Sequence, residues 1–327
     1  MTTTTLTMAQ ALTKWMAAQS IRQLDGSVAS AFAGVWAIFG HGNVAGLGEA
    51  LYGQRDSLPT FRGHNEQGMA HAAIAYAKQM NRRRFMAVTS SIGPGATNMV
   101  TAAALAHVNR LPVLLLPGDV FADRRPDPVL QQVEDFADGT VSANDCFRPV
   151  SRYFDRITRP EQILQSLPKA MSVLTDPAQC GPVTLSLCQD VQAESYAFPD
   201  RFFAPRIREM RRQRPDEAEM AEAIAVLSEA KRPLILAGGG VRYSGASAAL
   251  TDFAESSGIP VAATQAGKSV MPEAHPNYVG SLGVTGSLAA NELAQRSDVV
   301  LSVGSRLQDF TTGSNGLIKG QVLALNV

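Results

Sequence analysis

Apolar runs alternate with amphipathic stretches along residues 1–190 of the chain. Runs such as Val35–Phe39 and Leu111–Pro117 are apolar throughout and stop at glycine, as strands do when both faces of a sheet are buried. The pattern predicts strands over residues 35–39, 58–61, 84–89, 111–117 and 182–187, and helices over 8–24, 66–80, 96–107 and 161–174. This alternation predicts a doubly wound α/β domain with a parallel sheet.

The alternation starts again after residue 215. It predicts helices over residues 216–230, 247–257 and 287–295 and strands over 233–237, 259–263, 298–303 and 321–327, which form a second, smaller doubly wound domain. Between the halves, residues 198–215 hold prolines and a cluster of arginines without a periodic apolar face, so a solvated linker is favoured over a phosphate-binding patch. We expect domains over 1–200 and 216–327, joined by a linker over 201–215.

Composition narrows the class of protein. The 327 residues carry 29 Lys+Arg and 29 Asp+Glu, and this balance argues against a nucleic-acid-binding protein. No apolar run approaches the roughly 20 residues of a membrane helix, and the N-terminus lacks the basic and apolar regions of a secretory signal. The three cysteines lack C-x-x-C spacing, which favours a reducing cytoplasm over a disulfide framework or a zinc site.

Three glycine-rich loops follow predicted strands, where ligands bind in open α/β sheets. Gly40–Gly46 misses the dinucleotide-binding spacing by one residue, and Gly238–Gly240 is an equally weak nucleotide signal, because glycines often serve only the turn. The third loop, S-S-I-G-P-G-A-T-N at 90–98, joins a buried strand to a helix N-terminus. It suits both a ligand site and a strand–helix turn capped by Asn98, and spacing alone does not decide between them.

Glu66 begins the Ala-rich predicted helix 66–80, directly after a short predicted strand. Taken by itself, this position suits a glutamate that complements the helix dipole. The small residues that follow would let the helix pack closely against a sheet or another subunit. His64 and His71 lie nearby, but no carboxylate pattern completes a metal site, so we expect no metal at this segment.

Taken together, these segments resemble the thiamine-diphosphate-dependent enzymes of the acetohydroxyacid synthase and pyruvate oxidase group. The likeness rests on E-Q-G-x-A-H-A-A-x-A-Y-A at 66–77 and S-x-G-P-G-A-T-N at 91–98, and it covers most of residues 30–135. The second half is similar to the middle domain of that family at residues 232–240 and 302–307. The resemblance implies that the two predicted domains are a pyrimidine-binding domain and a Rossmann-like central domain.

The resemblance also implies roles for individual residues. Glu66 would be the catalytic glutamate, which hydrogen-bonds the aminopyrimidine ring of thiamine diphosphate and favours its imino tautomer. The other residues implied for the cofactor pocket are Gly42, Asn43, Gly95 and Asn98, and those implied on the substrate side are His64 and Gln131.

Within the family, F-R-G-H-N-E at 61–66 and the segment 121–134 are most similar to enzymes of inositol breakdown. Those enzymes hydrolyse a carbon–carbon bond in a cyclic 1,2-diketone and open its ring to 5-deoxy-glucuronic acid. An acetolactate synthase-like carboligase with a flavin on its middle domain stays open as an alternative, as does a non-catalytic fragment or regulatory homologue. Because the active site of the family forms between subunits, a homodimer or homotetramer is expected.

One feature departs from the family pattern. The family binds Mg²⁺ and the cofactor diphosphate through a Gly-Asp-Gly segment and a downstream Asn in a third domain. The chain contains no Gly-Asp-Gly, since Gly118-Asp119 is followed by valine and lies in the first domain, and no helix follows the apolar run 321–327. We therefore expect the N-terminal part of a longer enzyme, with a truncated central domain, inactive alone and with Mg²⁺ bound elsewhere.

Overall fold

The computed structural model describes residues 2–135 and 137–325, and the chain divides into two compact units, one ending at Arg211 and one beginning at Arg212. The strands of the first unit are β1 (Thr3–Thr7), β2 (Gln19–Arg22), β3 (Val28–Ser30), β4 (Phe32–Ala37), β5 (Thr60–Arg62), β6 (Phe85–Ser90), β7 (Val113–Asp119), β8 (Tyr153–Ile157), β9 (Pro182–Cys188), β10 (Ser195–Pro199) and β11 (Arg206–Arg208). Its α-helices are α1 (Met8–Ala17), α2 (Glu49–Gly53), α3 (Glu66–Gln79), α4 (Pro94–Thr97), α5 (Val100–Asn109) and α6 (Ile163–Leu174).

Six strands of the first unit form one parallel sheet in the order β5-β4-β6-β7-β9-β8. Every residue of β6, β7 and β9 is buried, so both faces of these strands are covered. Leu12 of α1 and Leu167 of α6 share one hydrophobic core with Leu114 and Leu185 of the sheet. The predicted doubly wound α/β class is confirmed.

The helix predicted over residues 8–24 is too long. Helix α1 begins at Met8, directly after the N-cap residue Thr7, and it ends at Ala17. The Thr7 side chain accepts the backbone N–H of Gln10 in a capping box. Residues 19–22 form β2 instead, which pairs antiparallel with β3 and parallel with β11. The partner strands lie elsewhere in the chain, so the local apolar period could not separate this strand from the helix before it.

The segment predicted as one helix over residues 96–107 is two helices, α4 and α5, which are separated at Asn98 and Met99. The predicted linker region is also partly structured. Phe198 is buried on β10, Phe203 is buried in a 3₁₀ turn over Asp200–Phe203, and β11 pairs with β2. Residues 198–208 are therefore built into the first unit, since Phe198 and Phe203 are buried without a regular apolar period around them.

The second unit has a five-stranded parallel sheet in the order β14-β13-β12-β15-β16. Its strands are β12 (Pro233–Ala237), β13 (Val261–Ala263), β14 (Tyr278–Ser281), β15 (Val299–Val303) and β16 (Gln321–Leu325), and its helices are α7 (Glu217–Glu229), α8 (Gly239–Ser244), α9 (Ser247–Ser257), α10 (Leu288–Arg296) and α11 (Asp309–Thr312). Residues 326–327 of the predicted last strand lie outside the described residues. Of the helices that the structure describes, none is long and apolar enough to cross a membrane.

The loop at Gly238–Gly240 serves backbone packing in the second unit. A Cβ at Gly238 would collide with the carbonyl oxygen of Gly304, and the N–H of Gly240 donates to that same oxygen over 3.0 Å. The loops after β12 and β15 therefore lie directly against each other. The close contact between the two loops explains why glycines occur here, and a bound nucleotide is not needed to explain them.

Two buried cysteines make the stability of the first unit depend on pH. Burial raises the pKa of the Cys180 and Cys188 thiols to about 12. Unfolded thiols ionise near pH 8.5, so above that pH the unfolded chain binds fewer protons than the folded chain. We expect the free energy of unfolding to fall between about pH 9 and 12, by up to about 1.4 kcal/mol per pH unit for each thiol.

Urea denaturation at pH 8 and pH 10 measures this fall. Replacing both cysteines by alanine should make the loss between the two pH values smaller than in the unmodified chain. Equal losses in the two proteins would contradict the role given to the thiols.

Candidate active site

The first sheet has a topological switch point at β4. Strand β4 pairs with β5 on one side and with β6 on the other, so the chain reverses direction across the sheet at β4. In open α/β sheets, ligands bind outside the carboxyl ends of the strands at such a switch point. The loops that follow β4, β5 and β6 carry the residues predicted for the cofactor pocket.

Glu66 is the first residue of α3, a 14-residue helix. The preceding residue, Asn65, has extended backbone, and its side chain accepts the N–H of Gly68 over 2.9 Å. This cap starts the helix at a position where the carboxylate of Glu66 also complements the helix dipole. The cap and the helix dipole therefore explain why a glutamate can begin this helix. They do not explain the contacts that its carboxylate makes.

The carboxylate of Glu66 is oriented by the loop after β6. Asn98 Nδ2 donates a hydrogen bond to Glu66 Oε2 over 2.9 Å, although the two residues lie 32 positions apart. Among the described residues, no hydrogen-bond donor reaches Oε1. That oxygen instead faces the main chain at Gly95, where a Cβ would lie only 3.2 Å away. One carboxylate oxygen is thus held by Asn98, and the other lies against Gly95, where an added side chain would be crowded.

The loop after β4 is held rigidly by Asn43, which is 2% exposed. Its Nδ2 donates to Ile38 O and to Thr89 Oγ1, both over 3.1 Å, while its Oδ1 accepts the N–H of Gly40 over 2.9 Å. These bonds connect the side chain to the loop and the sheet, so Asn43 positions the loop. A direct contact of Asn43 with a cofactor stays a prediction.

Gly42 is buried in the same loop, and Gln192 holds it there. Gln192 Nε2 donates to Gly42 O over 2.7 Å, and Gln192 Oε1 accepts the N–H of Leu47 over 3.2 Å. Sequence reasoning missed Gln192, which lies 150 residues from Gly42 and belongs to no motif. Its burial, at 1% exposure, is visible only in the folded chain.

The two residues predicted on the substrate side occupy different surroundings. Gln131 lies in the irregular segment between β7 and the 3₁₀ helix Ala143–Val150, and its carbonyl oxygen occupies the space beside Gly93, where a Cβ would collide with it. This brings Gln131 next to the loop that carries Gly95 and Asn98. His64 is exposed, and within the part of the chain that the structure describes no hydrogen bond joins it to Glu66.

The structure joins Glu66, Gly95 and Asn98 directly and places Gln131 beside their loop. Within residues 2–135 and 137–325, no group of three or more His, Cys, Asp or Glu residues could hold a metal ion. The arrangement can therefore present one oriented carboxylate, with a free oxygen, to a ring nitrogen.

Comparison with known proteins identifies a family for segments in both units. The family model described as thiamine pyrophosphate enzyme, N-terminal TPP binding domain, matches residues 28–138, which contain the three loops of the site. The model described as thiamine pyrophosphate enzyme, central domain, matches residues 220–324 in the second unit.

Curated relatives are identical to this chain at about half of the aligned positions. Proteins named 3D-(3,5/4)-trihydroxycyclohexane-1,2-dione hydrolase from Geobacillus thermodenitrificans and Clostridium perfringens are both 51% identical to it, over 100% and 96% of the chain. A Bacillus cereus protein named 3D-(3,5/4)-trihydroxycyclohexane-1,2-dione hydrolase 1 is 49% identical over 98% of the chain. The chain spans about half the length of these relatives, at 51%, 49% and 50% respectively. From its matched domains and the loops they contain, the chain belongs to the thiamine pyrophosphate enzymes and carries their N-terminal and central domains.

Proposed function

We propose that this chain is the pyrimidine-binding and central part of a thiamine-diphosphate-dependent hydrolase. Its substrate would be 3D-(3,5/4)-trihydroxycyclohexane-1,2-dione, opened by carbon–carbon bond cleavage to 5-deoxy-glucuronic acid in inositol breakdown. The names of the relatives support this substrate over the pyruvate-type substrates of a carboligase. The observation that carries the site is the hydrogen bond from Asn98 to Glu66, which unites the two motifs of the family in one place.

Each residue of the site has a physical task in this proposal. Thiamine diphosphate supplies a nucleophilic carbon and an electron sink when it is bound. Glu66 would hydrogen-bond a nitrogen of the aminopyrimidine through Oε1, the oxygen that the described residues leave free. Asn98 fixes the direction of the carboxylate, and Gly95 keeps the space beside Oε1 open. Such preorganisation matters because a misplaced proton donor or acceptor loses much of its catalytic effect.

A third domain, which the resemblance implies, would bind Mg²⁺ and the cofactor diphosphate, and the enzyme would assemble as a homodimer or homotetramer. We expect this chain alone to bind thiamine diphosphate without any dependence on Mg²⁺ and with an affinity weaker than micromolar. Isothermal titration calorimetry, with and without MgCl₂, measures both properties. Micromolar, Mg²⁺-dependent binding by this chain would contradict the assignment of the metal to another domain.

The substrate is tested with the full-length enzyme that contains this chain. We expect it to consume the cyclic dione and to form an acid, with little acetolactate from pyruvate. Chromatography of both reaction mixtures separates the two activities. A yellow protein that converts pyruvate and leaves the dione intact would favour the carboligase, and a protein inactive on both substrates would favour the non-catalytic alternative.

A further inference from the structure

The irregular segment after β7 is closed at both ends on a single carboxylate. The N–H of Val120, its first residue, donates to Asp119 Oδ1 over 2.8 Å. Ser142, at its other end, donates its hydroxyl to the same carboxylate, 3.0 Å from each oxygen. Residues 120–135 and 137–142 therefore lie in a segment whose two ends meet at Asp119, and we call these residues the Asp119 loop.

The same carboxylate is anchored to the neighbouring strands of the sheet. Arg156 Nε on β8 lies 2.7 Å from Asp119 Oδ2, and Ser186 on β9 donates its hydroxyl to that oxygen over 2.6 Å. The Asp119 side chain is 1% exposed, whereas that of Arg156 is 23% exposed. Among the described residues, four donors thus meet the carboxylate, about as many as its two oxygens can accept. A buried ion pair needs such additional hydrogen bonds to offset the cost of desolvation.

The Asp119 loop reaches the candidate site between these ends. Glu134 accepts the N–H of Val133 over 3.1 Å and that of Ala143 over 2.7 Å, so the middle of the loop is tied to its end. The carbonyl oxygen of Gln131 lies beside Gly93, the residue directly before helix α4, which contains Gly95. A displacement of Ser142 from Asp119 would therefore be transmitted to Gln131.

We propose that Asp119, Arg156 and Ser142 are positioning residues. They hold Gln131 against Gly93, at the start of the helix α4 that adjoins Glu66. The ion pair fixes the carboxylate, the carboxylate holds both ends of the Asp119 loop, and the loop carries Gln131. The importance of Gln131 for substrate rests on the proposed function, but the attachment of the loop does not.

Trypsin cleavage of this chain after Arg124, an exposed residue of the Asp119 loop, reports the attachment directly. Cleavage needs transient opening of the loop, so its rate follows the population of the open form. We expect Ser142→Ala and Arg156→Met to increase the rate about tenfold, and Arg156→Lys, which keeps the positive charge, to restore most of the protection. The matched controls are Ser172→Ala and Arg159→Met, at exposed positions of the same unit, and they should stay within about twofold of the unmodified chain.

Ser142→Ala decides the outcome if Arg156→Met does not fold, because it removes a single hydroxyl. A cleavage rate equal to that of the unmodified chain would overturn the proposal. In the full-length enzyme, Ser142→Ala should lower kcat/KM for the cyclic dione, and it should have no further effect when Gln131 is already alanine. If the losses of kcat/KM caused by Ser142→Ala and by Gln131→Ala multiply in the double variant, the link to Gln131 is overturned. An enzyme inactive on the dione would refute the proposed function, and the cleavage rates would still decide the attachment of the loop.

Discussion

Replacement of Glu66 by glutamine is expected to lower kcat of the full-length enzyme by about 10²–10⁴-fold, the usual loss when a positioned proton-transfer group is removed. Glutamine keeps the size of the side chain and an oxygen that can accept the hydrogen bond from Asn98. It cannot share a proton with a ring nitrogen as a carboxyl group does. Steady-state kinetics with the cyclic dione, at saturating thiamine diphosphate and Mg²⁺, measures the effect.

Glu217→Gln is the matched control for this experiment. Glu217 also stands at the first position of a long helix, α7, directly after a capping residue, and it is exposed. Both substitutions remove one negative charge from a helix N-terminus, which is worth about 0.3–1 kcal/mol of stability. If Glu66 served only the helix dipole, the two variants would behave alike. Similar activity of the two variants would contradict a catalytic role for Glu66.

Gly93→Ala is expected to destabilise the first unit by about 3 kcal/mol or more, because it combines backbone strain with a collision. Gly93 has φ 59° and ψ −116°, a conformation that residues with a Cβ rarely adopt. The added methyl group would also meet the carbonyl oxygen of Gln131, which is backbone and cannot rotate away. Urea denaturation of this chain, followed by circular dichroism, measures the loss.

Gly26→Ala separates the two causes of this effect. Gly26 also has a positive φ, of 84°, but a Cβ there would meet no atom within 4 Å. This control should therefore lose only the strain term, about 1 kcal/mol. A loss at Gly93 no larger than that at Gly26 would show that the contact with Gln131 costs nothing, and that the Asp119 loop yields freely at this point.

Several elements could be predicted because their cause is local. The strands predicted over residues 84–89, 111–117 and 182–187 are present and buried on both faces. Only the run over 111–117 is apolar throughout, and its pattern already indicated that burial. Helix α3 begins at Glu66 as predicted, since the cap and the helix-forming residues adjoin in the chain. The helix predicted over 8–24 is wrong at its C-terminal end, because strand β2 depends on partners at residues 28–30 and 206–208.

By itself, the sequence determined the class of fold, the approximate positions of the helices and of the central strands of each sheet, and the motifs of a thiamine pyrophosphate enzyme. Periodicity, capping and motif spacing lie within short stretches of chain, which is why these features could be predicted. Only the tertiary structure decided which groups meet. In the folded chain Asn98 donates to Glu66, the Asn43 side chain holds its own loop, and Arg156 pairs with Asp119, the carboxylate on which the Asp119 loop closes. These contacts join residues 32, 46 and 37 positions apart, and the order of strands in the sheet, which local pattern does not specify, brings such distant residues together.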